Sequence, residues 1–273
     1  MAPDDATLAE LGHLNRLEFE RTLARWSGRH GQVVEGEGVL SWASAADFPV
    51  LLNGAARTDP ATSAAEAVAI AAARFDGLGR GFSLSLRDGH PDDEAVRLAA
   101  LEAGSVDISS APEMVVVEPV EPRDAPRGVR LRWADGNAGG TGGAVDDFVA
   151  VSDAAYRSLG MPPGTLEAAI LARGLVPAPG TRIVLADVDG RPAGAAMALL
   201  SHGIAGVYFV GTLEGARGRG VGDLVTRAVT NRAFDEGARA VTLQASPMGE
   251  AIYARMGYGT IYRYTTFVRF GTG

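Results

Sequence analysis

The chain predicts an α/β fold built on a mixed sheet, and three observations carry that expectation. Apolar runs of strand length alternate with amphipathic helical stretches along most of the sequence. Short strands separated by Asp189-Gly190 and His202-Gly203 imply an antiparallel meander. The meander runs into Arg217-Gly218-Arg219-Gly220-Val221-Gly222, a glycine-rich turn that opens a helix.

In the first 117 residues, Leu14 to Trp26 is helical, with Leu14, Leu17, Leu23 and Trp26 forming an apolar stripe. Gly38 to Ala43 and Phe48 to Asn53 have the composition of strands, and Ala64 to Phe75 is an alanine-rich helix. Phe82 to Leu86 alternates as a strand, and Asp92 to Ala103 is a helix that stops at Gly104. Gly77-Leu78-Gly79-Arg80-Gly81-Phe82 imitates a phosphate loop but leads into a strand. It offers an anion no helix N-terminus, so a structural turn is expected. Met114 to Val117 reads as a further strand. Then come Glu118 to Pro126, with three prolines and four charges in nine residues, read as a stiff, solvated connector. The expected organisation is an accessory domain over 1–118, a linker over 119–127 and a second domain over 128–273.

The second domain opens with the alternating strand Val129 to Trp133. Val145 to Ser158 and Leu166 to Ala172 are helical, separated by the Met161-Pro162-Pro163-Gly164 loop. Ile183 to Val188, Pro192 to Leu200 and Ile204 to Val210 form the meander. After the glycine-rich turn, Val221, Leu224, Val225, Ala228 and Val229 make the apolar stripe of a helix that ends at Gly237. Val241, Leu243 and Ala245 alternate as a strand. Ser246-Pro247 then heads a short helix, with serine as its N-cap, that stops at Gly257.

Composition narrows the function classes. With 47% hydrophobic and 21% charged residues, a packed core is expected and disorder is not. There is no cysteine, so disulfide frameworks and thiolate metal sites are excluded, and the four histidines are scattered. No metal is expected. A net charge of −8 argues against a nucleic-acid partner. No leader-like or membrane-length apolar run is present, which gives a cytoplasmic expectation with no membrane partner.

The turn itself is an anion cradle, because glycines let the backbone curl and the first helical N–H groups point at negative charge. A dinucleotide fingerprint is excluded, since Asp223 stands where its third glycine or alanine belongs. A P-loop is excluded because the chain contains no lysine. The R-G-x-G-x-G turn between strand and helix resembles the pyrophosphate loop of the GNAT superfamily of acyl-CoA-dependent N-acyltransferases. Downstream, Ile252-Tyr253-Ala254-Arg255-Met256-Gly257-Tyr258 resembles a second signature of that family, (L/V)Y-x-x-(L/M)-G-(F/Y). The likeness covers about Val129 to Phe270. It implies a GNAT-like fold in the C-terminal half and, from the repeated helix-strand-helix-strand order, a degenerate GNAT-like repeat in the N-terminal half.

The resemblance also implies acetyl-CoA as acyl donor and an acceptor amine on a small molecule or peptide. It places the diphosphate on the N–H groups of Gly218, Arg219, Gly220, Val221, Gly222 and Asp223, with Arg217 and Arg219 adding cations. Backbone groups of Val210, Gly211 and Thr212 would meet the pantetheine arm and the thioester carbonyl. Ser246 joins the cofactor-binding set. Tyr253 matches the tyrosine that protonates the leaving thiolate, a phenol of ordinary pKa near ~10. No general base is assigned: Ile204 to Val210 carries no carboxylate, Glu214 reads as solvated, and Tyr208, Gln244 and Ser246 are polar groups that could hold a water. The acceptor pocket is expected from the two early helices, the Met161–Gly164 loop and the tyrosines near the C-terminus. A homodimer is left open. A catalytically idle acyl-CoA sensor or interaction module is the competing reading.

Overall fold

The structure is a computed structural model that describes residues 4–134, 141–170 and 179–271. In chain order it contains α1 (Asp5–Trp26), β1 (Gln32–Gly36), β2 (Val39–Ala43), the one-turn α2 (Pro49–Leu52), β3 (Asn53–Arg57), α3 (Ala64–Gly77), β4 (Phe82–Arg87), α4 (Pro91–Glu102) and β5 (Val106–Val116). There follow β6 (Val129–Trp133), α5 (Thr141–Tyr156), α6 (Thr165–Ala169), β7 (Thr181–Val188), β8 (Arg191–Ser201), β9 (Ile204–Thr212), α7 (Val221–Asp235), β10 (Val241–Gln244), α8 (Glu250–Met256) and β11 (Gly259–Arg269). Two compact units result, neither contiguous in sequence: residues 1–19, 113–167 and 172–261 form one, and 20–112, 168–171 and 262–273 the other.

In the first unit the strand order is β5-β10-β9-β8-β7-β6. Strands β6 to β9 run antiparallel to their neighbours, β9 and β10 are parallel, and β10 pairs antiparallel with the end of β5. Helix α7 is the crossover that a parallel pair requires. It buries Val221, Leu224, Val225 and Val229 against Ala205, Val207, Val241 and Leu243. Alternate residues of β9 point the other way, where Ile204 packs with Leu8 of α1 and Tyr208 stacks on Phe19 at 3.8 Å. Asn15 of α1 ties the helix to this face by donating to the Leu199 carbonyl at 2.9 Å.

The second unit repeats the path. Strands β1, β2 and β3 form an antiparallel meander, α3 crosses over to the parallel strand β4, and α4 follows. Val68, Ala71 and Phe75 of α3 meet Phe82 and Leu84 of β4 in its core. The closing strands are exchanged: β5, which follows α4, pairs with β10, while residues 264–269 of β11, which follows α8, pair with β4. That exchange, with the first turns of α1 belonging to the first unit, makes the compact units cross the sequence cut drawn at 118.

Most expected elements are present, and the differences have local causes. Phe48 to Leu52 is not a strand but holds the single turn α2, and of the expected segment only Asn53 is in a strand, opening β3: Pro49 supplies no ladder donor, and the buried Asn53 amide holds the loop through the Ala46 and Phe48 carbonyls, both at 2.9 Å. Strand β1 had no apolar alternation to announce it, being mostly exposed. Helix α1 starts at Asp5, well before Leu14, with the Asp4 carboxylate accepting from the Thr7 N–H at 2.8 Å. Helix α6 covers Thr165–Ala169, and the remainder of the Leu166 to Ala172 expectation lies partly outside the described residues.

The proline-rich connector is strapped down and not solvated throughout. Val120 is buried, and its N–H and carbonyl both bond the Asn231 side chain of α7 at 2.9 Å. Arg227 of the same helix donates to the Glu121 carbonyl at 2.6 Å. A paired backbone explains how a polar segment can run against a helix without orphaned groups.

Candidate functional site

The site begins with a break in β9. Ala195 faces Gly211 and Met197 faces Tyr208, so Phe209 and Val210 together oppose the single residue Ala196. Phe209 takes φ +53°, and this bulge reverses the alternation of side chains. Tyr208 and Phe209 therefore both face the α1 and α5 side, where Phe209 meets Phe19, Phe148 and Tyr156. Beyond the bulge, Val210 packs on the α7 side and Gly211 on the α5 side, so close to Ala155 that a Cβ would lie 2.8 Å from the alanine methyl.

On its other edge β9 pairs with β10 only from Ala205 to Val207. From Tyr208 onward the two parallel strands have no register pairs, and the Val210-Gly211-Thr212 backbone lies past the end of that ladder. An extended segment can pair with a strand edge beyond the end of a ladder, as in strand addition.

The chain then turns through Glu214–Ala216 into the glycine-rich loop. Gly220 is the N-cap residue of α7 at φ +76°, with no side-chain cap, and Gly218 has φ +75°. The first helical bond runs from the Leu224 N–H to the Gly220 carbonyl at 3.0 Å. The N–H groups of Val221, Gly222 and Asp223 precede it and have no intrahelical acceptor, and the helix dipole adds positive potential. A Cβ at Gly222 would lie 3.3 Å from the Thr212 Oγ1, so the end of β9 and the first turn of α7 almost touch.

Charges surround this cradle. Arg217 donates to the Thr212 carbonyl at 3.3 Å and to the Ser158 hydroxyl at 3.0 Å, bracing the loop against the end of β9. Arg219 pairs with Asp189 at 3.1 Å, on the outer side. Asp223 would repel an anion at the helix start, but Arg123 at 3.0 Å and Arg227 at 3.1 Å neutralise it. Arg123 comes from the connector, and its guanidinium carbon lies 3.8 Å from where a Gly220 Cβ would be. An uncapped helix start, a curled glycine backbone and arginines beside it fit a diphosphate.

Tyr253 of α8 stands next to the same helix. Its phenol interacts with the Thr226 hydroxyl, which itself donates to the Gly222 carbonyl at 2.8 Å. Burial pushes Tyr253 up to about 12, against the ordinary value the sequence suggested; the Thr226 hydrogen bond opposes the shift. The phenol thus keeps its proton throughout the neutral range. From α5, the Tyr156 oxygen accepts from the Phe209 N–H and is coupled to Tyr253, and burial raises its pKa as well. Tyr258 is raised too by burial, and its hydroxyl pairs with Thr230 at 2.7 Å.

Ser246 departs from expectation. The helix starts at Glu250 with Gly249 as N-cap, three residues later than read, and the Ser246 hydroxyl accepts from the Gly249 N–H at 3.2 Å. Ser246 closes the turn before α8 and is not its N-cap. Glu214 is exposed, as expected. Tyr208 donates its proton to Asn15 Oδ1 at 2.7 Å, so that hydroxyl is already engaged. The sequence reading missed Arg123, Tyr156 and Thr226, which reach the site from a connector and from helix faces that carry no local motif. Among the described residues, no group of three His, Asp or Glu side chains could hold a metal ion, and no helix is long and apolar enough to cross a membrane.

Residues 124–253 match the model of the acetyltransferase (GNAT) domain. A GCN5-related N-acetyltransferase from Kribbella flavida is similar in fold, with TM-score 0.68 and 20% identity over 94% of this chain and 95% of that one. A GCN5-related N-acetyltransferase from Sphaerobacter thermophilus is similar over 98% of this chain and 94% of its own, with TM-score 0.59 and 17% identity. No curated protein matches the chain by sequence.

Proposed function

We propose that through residues 124–253, which match the model of the acetyltransferase (GNAT) domain, the chain transfers an acetyl group from acetyl-CoA to a primary amine of a small molecule or peptide, by direct attack in a ternary complex. The observation that carries this reading is the divergence of β9 from β10 after Val207, immediately beside the uncapped start of α7. One feature offers backbone hydrogen bonds to an extended arm, the other an anion cradle, and a donor with both parts spans them.

In this reading the N–H groups of Val221 to Asp223 and the nearby Arg123 and Arg217 hold the diphosphate. Backbone groups of Val210 to Thr212 align the arm and polarise the thioester carbonyl, an electrostatic contribution of roughly 2.7–4 kcal/mol where such donors have been removed elsewhere. Tyr253 supplies a proton to the departing thiolate, since burial keeps the phenol protonated until about 12. The N-terminal half acts as a GNAT-like repeat without donor chemistry. The proposal places the protein in the cytoplasm, in keeping with its lack of cysteine.

The competing reading, an idle acyl-CoA sensor, draws on one fact: β9 carries no carboxylate to serve as a base. Calorimetry with acetyl-CoA, followed by thiol release across a panel of amines, separates the two. Binding with amine-stimulated thiol release supports the enzyme. Binding with no release under any amine supports the sensor, and absence of binding refutes both.

A further inference from the structure

We propose that Glu113 accepts the proton of the incoming amine, through a water that joins the Gln244 amide at its carboxyl group; this rests on the acyl-transfer reading above. The geometry comes from three adjacent strands. Leu243 is the last residue of β10 in register with β9, opposite Val207, and Gln244 is opposite Glu113 of β5. Tyr208, Gln244 and Glu113 therefore stand in one row on the α1 side of the sheet, at the point where β9 and β10 part. Gln244 is exposed while Glu113 is only 3% exposed, so the row leads from solvent at the divergence to a buried acid.

Glu113 is held from two neighbouring elements. Thr242 and Gln244 of β10 hydrogen-bond its carboxyl group, and Arg16 of α1 is the charged group acting on it. Other titratable residues on that stretch of α1 are His13, Glu18 and Glu20; residues 259–261, the part of β11 in this unit, bring none. Burial pushes Glu113 up to about 7, with Arg16, Thr242 and Gln244 pulling the other way. A carboxyl group poised there exchanges protons at neutral pH.

Four other carboxylates of this unit are already committed. Asp153 accepts from the N–H groups of Gly164 and Leu166 and from Arg157. Asp147 and Asp187 share Arg132, and Asp223 is held by Arg123 and Arg227.

The protons balance. An ammonium substrate gives one proton through the water to the Glu113 carboxylate and becomes a free amine. Its nitrogen bonds to the thioester carbon, the C–S bond breaks, and the nitrogen's second proton ends on sulfur, with Tyr253 as the donor side of that exchange. Glu113 then returns its proton to solvent past Gln244, giving amide, free thiol and one released proton.

The test uses the full chain with acetyl-CoA alone, letting water replace the amine as nucleophile. The chain has no lysine side chain to accept the acetyl group instead. Thiol release above the protein-free rate is followed from pH 5.5 to 9, with acetyl-CoA affinity measured by calorimetry in the same buffers. The wild-type rate is expected to rise with a midpoint near 7. Glu113→Gln should lower the rate on the order of a hundredfold and abolish that rise, with affinity unchanged. Arg16→Gln should keep the rise but move its midpoint to higher pH, because the cation favouring the carboxylate is gone. A glutamate that merely braced the sheet would not shift with Arg16.

Stability gives a second reading. A carboxyl group raised in the folded state binds more protons there than when unfolded, so stability falls as pH climbs from the ordinary carboxylate range through about 7. The melting temperature of Glu113→Gln should therefore gain on wild type between pH 5 and 8. Wild-type rate and pH profile in Glu113→Gln, a midpoint unmoved in Arg16→Gln, or a wild type that binds acetyl-CoA yet releases no thiol would each overturn the proposal. If acetyl-CoA does not bind wild type, the acyl-transfer reading itself fails. Should Glu113→Gln not fold, the Arg16→Gln midpoint decides.

Discussion

Helices α3 and α7 occupy the same place in the two halves, each crossing from the third strand of a meander to a parallel strand, yet their N-termini are built oppositely. At α3 the cap is Ser63, in an extended conformation, whose hydroxyl accepts from the Glu66 N–H at 3.2 Å. Glu66 adds a negative charge to the first turn, and Asp59 accepts from the Ala61 N–H at 2.8 Å in the loop before it. At α7 the cap is Gly220, with no side-chain acceptor, and the first-turn acid Asp223 is neutralised from outside. One helix satisfies its dipole and orphan donors with its own residues; the other has no side-chain cap of its own. On the proposed function, a handful of residues at one helix end separate a binding half from a scaffolding half.

The largest effect should come from closing the α7 cradle. Gly220 is a poor choice, because at φ +76° any bulky residue strains the loop as well as blocking it. Gly222→Val is cleaner, since Gly222 has ordinary helical backbone and its Cβ would enter the gap to Thr212 at 3.3 Å. Losing about two charge-assisted bonds of 1.5–3 kcal/mol each predicts at least ~10²-fold weaker acetyl-CoA binding by calorimetry. Unchanged affinity would show that the cradle is not where the donor binds.

Next is Tyr253→Phe, which retains the ring and removes the proton. Turnover should fall toward the low end of the ~10²–10⁴-fold range, with affinity for acetyl-CoA held, because the hydroxyl acts in the transition state. Wild-type turnover in this variant would make Tyr253 a packing residue.

Arg217→Ala should weaken acetyl-CoA binding by roughly three- to tenfold, a charge-assisted contact at an exposed position being worth about 1 kcal/mol. A loss as large as that of Gly222→Val would mean that the brace to Thr212 and Ser158 shapes the whole loop. The smallest effect on binding, none, is expected for Ser63→Ala in α3. It should cost about 1 kcal/mol of stability by chemical denaturation, the usual value of a lost N-cap. Any change in acetyl-CoA affinity there would break the contrast between the two helix ends.

Much of this was legible along the chain. The Val221 to Val229 stripe, the Asp189-Gly190 and His202-Gly203 turns and the apolar β7 to β9 runs are local patterns of period and turn chemistry, and each became the element expected. The Arg217–Gly222 turn was legible too, because glycines at positions needing positive φ leave a mark in composition. The Phe48 to Asn53 expectation failed because a buried asparagine amide and a proline, not strand propensity, decided that loop. Arg123 had no signal, since a connector arginine becomes part of the cradle only when Asn231 clamps Val120 onto α7.

The sequence by itself determined the order of elements from Ile183 onward, the strand-loop-helix turn and the Tyr253 signature, because all of these follow from residues close together in the chain. The tertiary structure decided what distant residues do to one another. The Phe209 bulge depends on the β8 register, and the divergence of β9 and β10 depends on where their pairing stops. The exchanged strands β5 and β11, and the setting of Glu113 beside Gln244 and Arg16, join residues more than 90 positions apart. Desolvation is a property of that assembled surrounding: the same carboxyl group titrates as an ordinary glutamate in the open chain and near neutrality once the sheet and α1 close over it.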